Sequence, residues 1–269
     1  VSNKAQEAPS IVIKLGSSTL TSGGHPNRAV IAALCDELKQ LRERGQYPIV
    51  VTSGAVQLGV PVRRTDCCVS ATREGFAAVG QIRLMSAFAD CLSSHSYSLA
   101  QILLKHEDFL CQHTRAQLIG TITSLSCSDA IVLINENDVT SGGRGFPSND
   151  ELSAALAALL NVSKLVIFTD RPGVYEADPR VHPQARLFET IGAWDEQLLA
   201  AASDIPTATG TGGMKSKILA AQIAAEHGAV TVITNYAPRK LQRIVDGERL
   251  GTWIMPETAV DRTPTIINA

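Results

Sequence analysis

Short apolar runs recur along this chain, apolar nearly throughout rather than at alternate positions: Ile11–Leu15, Pro48–Thr52, Ser98–Leu104, Ala130–Asn135, Lys164–Thr169 and Val230–Thr234. A strand with one face in water alternates in polarity, whereas a strand that is apolar on both sides belongs to a sheet covered on both faces. Between the runs lie segments of helical patterning, over about Ala29–Arg44 and Thr72–His95, and Ala- and Leu-rich stretches further on. Strands alternating with helices predict an α/β chain with a mainly parallel sheet between two helical layers. Of 269 residues 45% are hydrophobic, enough to bury a sizeable core. No Pro-rich or Gly/Ser-rich linker and no internal repeat divides the chain, so a single domain over 1–269 is expected.

Charge and cysteine content narrow the function. Lys and Arg total 24 against 26 Asp and Glu, a near balance that offers no electrostatic footprint for nucleic acid or an anionic membrane. A small-molecule partner is therefore expected. The six cysteines show no C-x-x-C spacing, which suggests neither a zinc site nor a disulfide framework and favours a reducing compartment. Val1–Pro9 is polar and leads straight into a strand, and no apolar stretch reaches membrane-spanning length, so a cytoplasmic location is expected.

In sheets of this kind ligands bind beyond the carboxyl ends of the strands, which directs attention to the loops after Leu15, Thr52, Asn135 and Thr169. Lys14 stands inside an apolar strand ahead of Gly16-Ser17-Ser18, where backbone N–H groups can turn toward an anion. A lysine there is costly unless it meets a negative partner or snorkels to water from an edge strand. Thr52-Ser53-Gly54-Ala55 repeats the arrangement and adds a hydroxyl suited to a carboxylate or phosphate, although such small residues also serve simply to turn the chain. Asn135-Glu136-Asn137-Asp138 closes a buried strand with four polar residues, and Ser148-Asn149-Asp150 opens a helix that Asn149 or Asp150 could cap. Together these amides and carboxylates suit the ammonium and α-carboxylate of an amino acid. Gly210-Thr211-Gly212-Gly213-Met214-Lys215-Ser216-Lys217 is a Gly-rich loop that delivers two lysines to the start of an Ala-rich helix, a natural phosphate cradle or a mobile loop with solvated lysines. It matches neither the P-loop nor G-x-G-x-x-G, and a nicotinamide dehydrogenase loses support.

In this order, Lys14 to Ser18, Val51 to Ala55, Ala78-Val79-Gly80-Gln81, Ile134 to Asp138, Asn149-Asp150, Thr169-Asp170 with Gly173 and Tyr175, Ala177-Asp178-Pro179-Arg180, and Gly210 to Lys217 resemble the amino acid kinase family. The resemblance spans about Ile11 to Trp253, and the Asn135–Asp138 cluster resembles the branch that phosphorylates the γ-carboxylate of L-glutamate at the first step of proline synthesis. It implies an αβα sandwich with a mainly parallel eight-stranded sheet, the amino acid over the N-terminal half and ATP over the C-terminal half. Ser53, Gly54, Ala55, Asp138 and Asn149 are then expected to bind glutamate. Lys14, Thr169, Asp170, Thr211, Gly212, Gly213, Met214, Lys215, Ser216 and Lys217 are expected to bind ATP. Lys14 and Lys217 would flank the transferred phosphoryl group, and Asp150 would either steady those lysines or contact the substrate. The family also implies Mg²⁺ carried by ATP phosphates and water, a homo-oligomer, and free proline as a feedback inhibitor.

Three positions depart from the family pattern. Pro147-Ser148-Asn149-Asp150 stands where Gly-Asp-Asn-Asp is usual, so one acidic residue is missing. Gln117-Leu118-Ile119 stands where Asn-Ala-Arg is common, and the chain stops at Ala269, where many bacterial members carry an RNA-modification-type domain. Two other readings use the same residues. A related kinase acting on acetylglutamate or aspartate is opposed by the Asn135–Asp138 cluster, and a non-catalytic amino-acid or nucleotide sensor is opposed by the presence of both lysines.

Overall fold

The computed structural model describes residues 8–60, 72–143, 145–203, 213–256 and 265–267. In chain order its elements are β1 (Ile11–Leu15), α1 (Ser17–Leu20), β2 (Thr21–Ser22), β3 (His25–Pro26), α2 (Arg28–Glu43), β4 (Pro48–Val51), α3 (Ala55–Gly59), α4 (Arg73–Ser93) and β5 (Ser98–Leu104). A 3₁₀ turn over His106–Phe109 leads to α5 (Gln112–Ser126), β6 (Ala130–Glu136), α6 (Asn149–Leu159), β7 (Lys164–Thr169), β8 (Leu187–Gly192), α7 (Glu196–Ser203) and α8 (Met214–Glu226). The chain ends with β9 (Val230–Asn235), α9 (Lys240–Val245), β10 (Thr252–Met255) and β11 (Thr265–Ile267). All six sequence-predicted strands form, as an α/β arrangement requires.

The chain divides into two compact units, Val1–Ser10 with Leu15–Phe146, and Ile11–Lys14 with Pro147–Ala269. In the first unit β4, β6 and β5 are neighbours in that order, and both pairings are parallel, with Val51 opposite Ile134 and Leu104 opposite Glu136. In the second the order is β11-β8-β10-β9-β7-β1. There β7 with β9 and β10 with β8 are parallel, while β10 with β9 and β11 with β8 are antiparallel. Parallel pairing thus dominates, and β11 is additional to the eight strands expected.

The local causes are readable. In α2, Ile31, Leu34, Cys35, Leu38 and Leu41 are buried at helical spacing, and Asn27 caps the helix by accepting from the Val30 N–H at 3.4 Å. In α4 the Thr72 hydroxyl accepts from the Gly75 N–H at 3.1 Å, and Ala77, Gly80, Leu84 and Phe88 form the buried stripe. The centres of β1, β4, β6 and β7 are buried on both faces. Among the described residues no helix is long and apolar enough to cross a membrane.

One packing contact in the first unit bears on function. A Cβ at Gly80 would stand 1.7 Å from the Ala55 carbonyl oxygen and 2.6 Å from the Gly59 nitrogen, and a Cβ at Gly59 would stand 1.8 Å from the Phe76 oxygen. Backbone meets backbone between α3 and α4, so this contact holds the Ser53–Ala55 turn. Gly80→Ala is expected to destabilise the protein by about 1–3 kcal/mol through overpacking. Gly120→Ala is the contrasting case, since Gly120 lies within α5 and faces open space. It should stabilise by roughly 0.5–1 kcal/mol. Urea denaturation midpoints of the two variants check the opposite signs.

Candidate active site

Within the second unit, three elements bring charge to one buried point. Lys14 is the fourth residue of β1, Asp150 lies in the first turn of α6, and Lys217 lies in the first turn of α8, which packs against α6. Lys14 Nζ stands 2.5 Å from Asp150 Oδ1, and Lys217 Nζ stands 3.1 Å from Oδ2. Lys14 and Lys217 are each 5% exposed and Asp150 is fully buried. The edge-strand reading of Lys14 is thereby replaced by a buried ion pair. The Ser216 hydroxyl lies 2.8 Å from both Asp150 Oδ2 and the Gly213 carbonyl oxygen, and Lys217 Nζ is 3.5 Å from the same carbonyl.

Burial by itself would raise the Asp150 pKa, but Lys14 and Lys217 outweigh it and hold the carboxyl at about 2. The helix dipole acts the same way, because Asp150 sits at the positive end of α6. Lys14 is pushed below the usual lysine value by burial, with the Lys217 charge adding to the effect and Asp150 opposing it. Among the described residues two lysine side chains share one carboxylate, and the nearly buried cluster carries an excess of positive charge.

The remaining residues expected on the nucleotide side fall at the ends of elements in the same unit. Thr169 ends β7 and donates to Asp170 Oδ1 at 2.9 Å, while Asp170 itself is exposed. Gly213 precedes α8, Met214 is buried as its first residue, and Lys215 points to solvent. Thr211 and Gly212 lie outside the described residues. The loop beyond β7 is held by polar staples. Asp178 takes the Arg180 guanidinium through Nε at 3.0 Å and Nη2 at 2.6 Å, which keeps its carboxyl well below the usual range. A Cβ at Gly173 would stand 2.6 Å from the buried Thr252 hydroxyl, which accepts from the Val174 N–H.

The residues expected to bind the amino acid divide between the units. Ser53, Gly54 and Ala55 connect β4 to α3 in the first unit, where Gly54 has a φ of 104° and an added Cβ would stand 2.8 Å from Thr21 Cγ2. Asp138 also lies in the first unit, and Arg73 Nη2 at the start of α4 pairs with it at 3.2 Å. Burial raises the Asp138 pKa and Arg73 opposes the rise. Burial likewise raises that of Glu136, helped by the neighbouring Asp138 charge. Asn137 builds the turn itself, its Oδ1 accepting from the Thr140 N–H at 3.3 Å and its carbonyl from the Ser141 hydroxyl at 2.6 Å. Asn149 belongs to the second unit, directly before Asp150. Sequence reasoning did not anticipate Arg73 as the partner of Asp138, since nothing in spacing ties a helix-opening arginine to a distant loop. Nor did it anticipate that the Ser216 hydroxyl, expected at the nucleotide, meets Asp150.

Among the described residues no group of three His, Cys, Asp or Glu side chains is arranged to hold a metal ion. Both Asp150 oxygens face cations.

The charge balance of the cluster makes a stability prediction. Asp150→Asn removes the carboxylate that both buried lysines face and should cost about 3–5 kcal/mol at neutral pH. In the parent protein the folded pKa of about 2 lies below the ordinary 3.8, so the stabilisation is present above about pH 4 and is lost as pH falls toward 2. Denaturation midpoints measured from pH 5 to pH 2 should show that acid-dependent loss in the parent chain, and a shallower one in Asp150→Asn.

Comparison with known proteins places this geometry. The model of the amino acid kinase family matches residues 9–235. The glutamate 5-kinase of Chromobacterium violaceum is 38% identical over 256 residues, covering 92% of this chain and 68% of that protein. The glutamate 5-kinase of Ectopseudomonas mendocina is 39% identical over 251 residues, covering 91% and 68%. Among solved structures, a carbamate kinase from Giardia lamblia bound to AMP-PNP superposes with a TM-score of 0.66 at 17% identity, covering 94% of this chain and all of that one (100%). A UMP kinase from Bacillus anthracis gives 0.65 at 14% identity, over 97% and 99%. Structures at that identity share the fold alone. The family model matches most of the length and the relatives exceed one-third identity, and the chain belongs to the amino acid kinase family.

Proposed function

We propose that this chain transfers the γ-phosphoryl group of ATP to the γ-carboxylate of L-glutamate, forming glutamyl 5-phosphate for proline biosynthesis. The observation that carries the reading is the buried excess of positive charge, Lys14 and Lys217 around the single carboxylate of Asp150. The glutamate 5-kinases at 38% and 39% identity supply the substrate class. The Asn135–Asp138 cluster favours glutamate over acetylglutamate or aspartate.

A γ-carboxylate has an unperturbed pKa of about 4.3 and is already ionised at neutral pH, so no catalytic base is required. The obstacle is bringing one anion to another. A carboxylate oxygen attacks the γ-phosphorus, a new P–O bond forms, and the bond to the β,γ-bridging oxygen breaks with its electron pair leaving on ADP. Charge on the three equatorial oxygens is met by Lys14 and Lys217, preorganised in a water-poor site where such charges act strongly. Asp150 is a positioning residue that fixes both ammonium groups. Mg²⁺ enters with ATP as part of the substrate, held by phosphates and water. Thr169, Asp170 and the loop from Thr211 to Lys217 are assigned to the nucleotide. Ser53, Gly54, Ala55, Asp138 and Asn149 are assigned to the amino acid.

A panel of free amino acids assayed for ATP-dependent hydroxamate formation, in which hydroxylamine traps the acyl phosphate, should respond most strongly to glutamate. Preference for acetylglutamate or aspartate overturns the substrate assignment, and ATP turnover indifferent to any amino acid favours a sensor. Lys217→Ala should lower kcat at least ~100-fold, the cost seen for losing a preorganised oxyanion stabiliser. The solvent-facing Lys215→Ala should do much less, and equal mild effects would return the loop to a solvated surface.

Free proline is proposed to compete with glutamate. It presents the α-carboxylate and the ammonium-type nitrogen but lacks the γ-carboxylate that the lysines serve. Initial rates across a proline series should show inhibition that weakens as glutamate rises and that changes in Asp138→Ala. Inhibition indifferent to glutamate, or none at millimolar proline, sinks the shared-site reading.

A further inference from the structure

Gln81 belongs to the Ala78–Gln81 motif, and the reaction described above leaves it without a task. It lies in α4, one residue after Gly80, whose missing side chain lets the helix backbone rest on Ala55. The helix therefore lies against the start of α3, and Gln81 is the next residue along it. Its Oε1 accepts from Asn135 Nδ2 at 2.8 Å, and Asn135, near the carboxyl end of β6, is 1% exposed. That bond commits the oxygen and fixes the other half of the amide. Among the described residues Gln81 Nε2 is buried and has no hydrogen-bond partner.

A buried donor left unpaired is costly, and a side chain of the same length without the amide, such as methionine, would avoid the cost. A donor retained in this place calls for an acceptor that arrives from outside. The acid Asp138, close by in sequence to Asn135, suits an ammonium group, whereas Nε2 can only donate and suits an oxygen. An amino acid offers both together. Of the two carboxylates of glutamate, the γ group must stay free to attack phosphorus, and the α group can be gripped throughout the reaction.

We propose that Gln81 binds the α-carboxylate of the acceptor amino acid through Nε2 and is a further determinant of substrate specificity, an inference that rests on the glutamate reading above. The variant that isolates the claim is Gln81→Glu. It keeps the shape and the oxygen that accepts from Asn135, and replaces only the donor by an anionic oxygen. Its KM for glutamate should rise roughly 10- to 100-fold, the range for losing a hydrogen bond to a charged group, while its KM for ATP stays within about twofold. The α-amide of glutamate, which offers an NH₂ where glutamate has an oxygen, should suffer less or improve. The ratio of kcat/KM for glutamate over the α-amide should therefore fall in the variant. Gln81→Met should raise the glutamate KM without reversing that preference.

If the unaltered chain phosphorylates glutamate and Gln81→Glu leaves both the glutamate KM and the acceptor ratio within about threefold, the Gln81 assignment is overturned and the kinase reading stands. If the two KM values rise together with a lowered thermal midpoint, Gln81 is a packing residue and the assignment is again overturned. If the unaltered chain does not use glutamate at all, the kinase reading fails and this inference falls with it.

Discussion

The second unit depends on two ammonium groups held against one carboxylate out of reach of water. Removing charge from solvent is expensive, and an ion pair recovers the cost only with close geometry and additional hydrogen bonds. Here Asp150 meets Lys14 at 2.5 Å, Lys217 at 3.1 Å and the Ser216 hydroxyl at 2.8 Å. Among the described residues one carboxylate faces two lysines, and the pKa of Lys14 is lowered chiefly by burial, with Asp150 opposing and Lys217 adding to the effect. A site in this condition gains by taking up an anion. In the proposed reaction the transferred phosphoryl group would supply the missing charge as it needs to be stabilised, and the same electrostatic deficit would then serve both binding and catalysis.

Rigid elements hold that deficit in place. Lys14 is set by a strand buried on both faces, and its neighbours Ile13 and Leu15 are fully buried. Asp150 and Lys217 lie in the first turns of two helices packed against each other. Each charged group thus has little freedom to lose when the substrate arrives, and less binding energy is spent on ordering. The positive helix end beneath Asp150 keeps the carboxylate ionised, which in turn keeps the lysines where they are.

Much of this was legible in the sequence because it rests on polarity. An unbroken apolar run of strand length predicts a buried strand, and the six runs became β1, β4, β5, β6, β7 and β9 with ends displaced by at most a residue, although β5, the last strand in its sheet order, is exposed or half-buried except at Leu104. The helix over about Ala29–Arg44 begins at Arg28, because Asn27 rather than a later residue supplies the cap. The strands β8 and β10 were missed because Glu189, Thr190 and Thr252 interrupt their apolar residues. Thr252 tolerates burial because its hydroxyl is shared among the Phe188 and Val174 backbone groups. Lys14 announced itself as a charge in an apolar strand, and its partner was a matter of tertiary structure. Arg73 on Asp138 and Gln81 on Asn135 are long-range pairings of residues that carry no local signal.

The departure at Ser148 separates two roles that an acidic residue at this place combines. An aspartate there can cap a helix and also add negative charge. Ser148 keeps the first role: it is buried, and its hydroxyl accepts from the Glu151 N–H at 3.4 Å at the start of α6. Serine and aspartate are comparable as N-caps, so α6 loses little stability from the exchange. The second role is absent, and no further anion from this position competes with Asp150 for the lysines. The position of Asp150 depends on the helix starting where it does, and a neutral cap suffices for that. The geometry of the charged cluster is therefore insulated from the substitution, and under the proposed assignment of Asn149 any consequence would fall on the amino acid rather than on phosphoryl transfer.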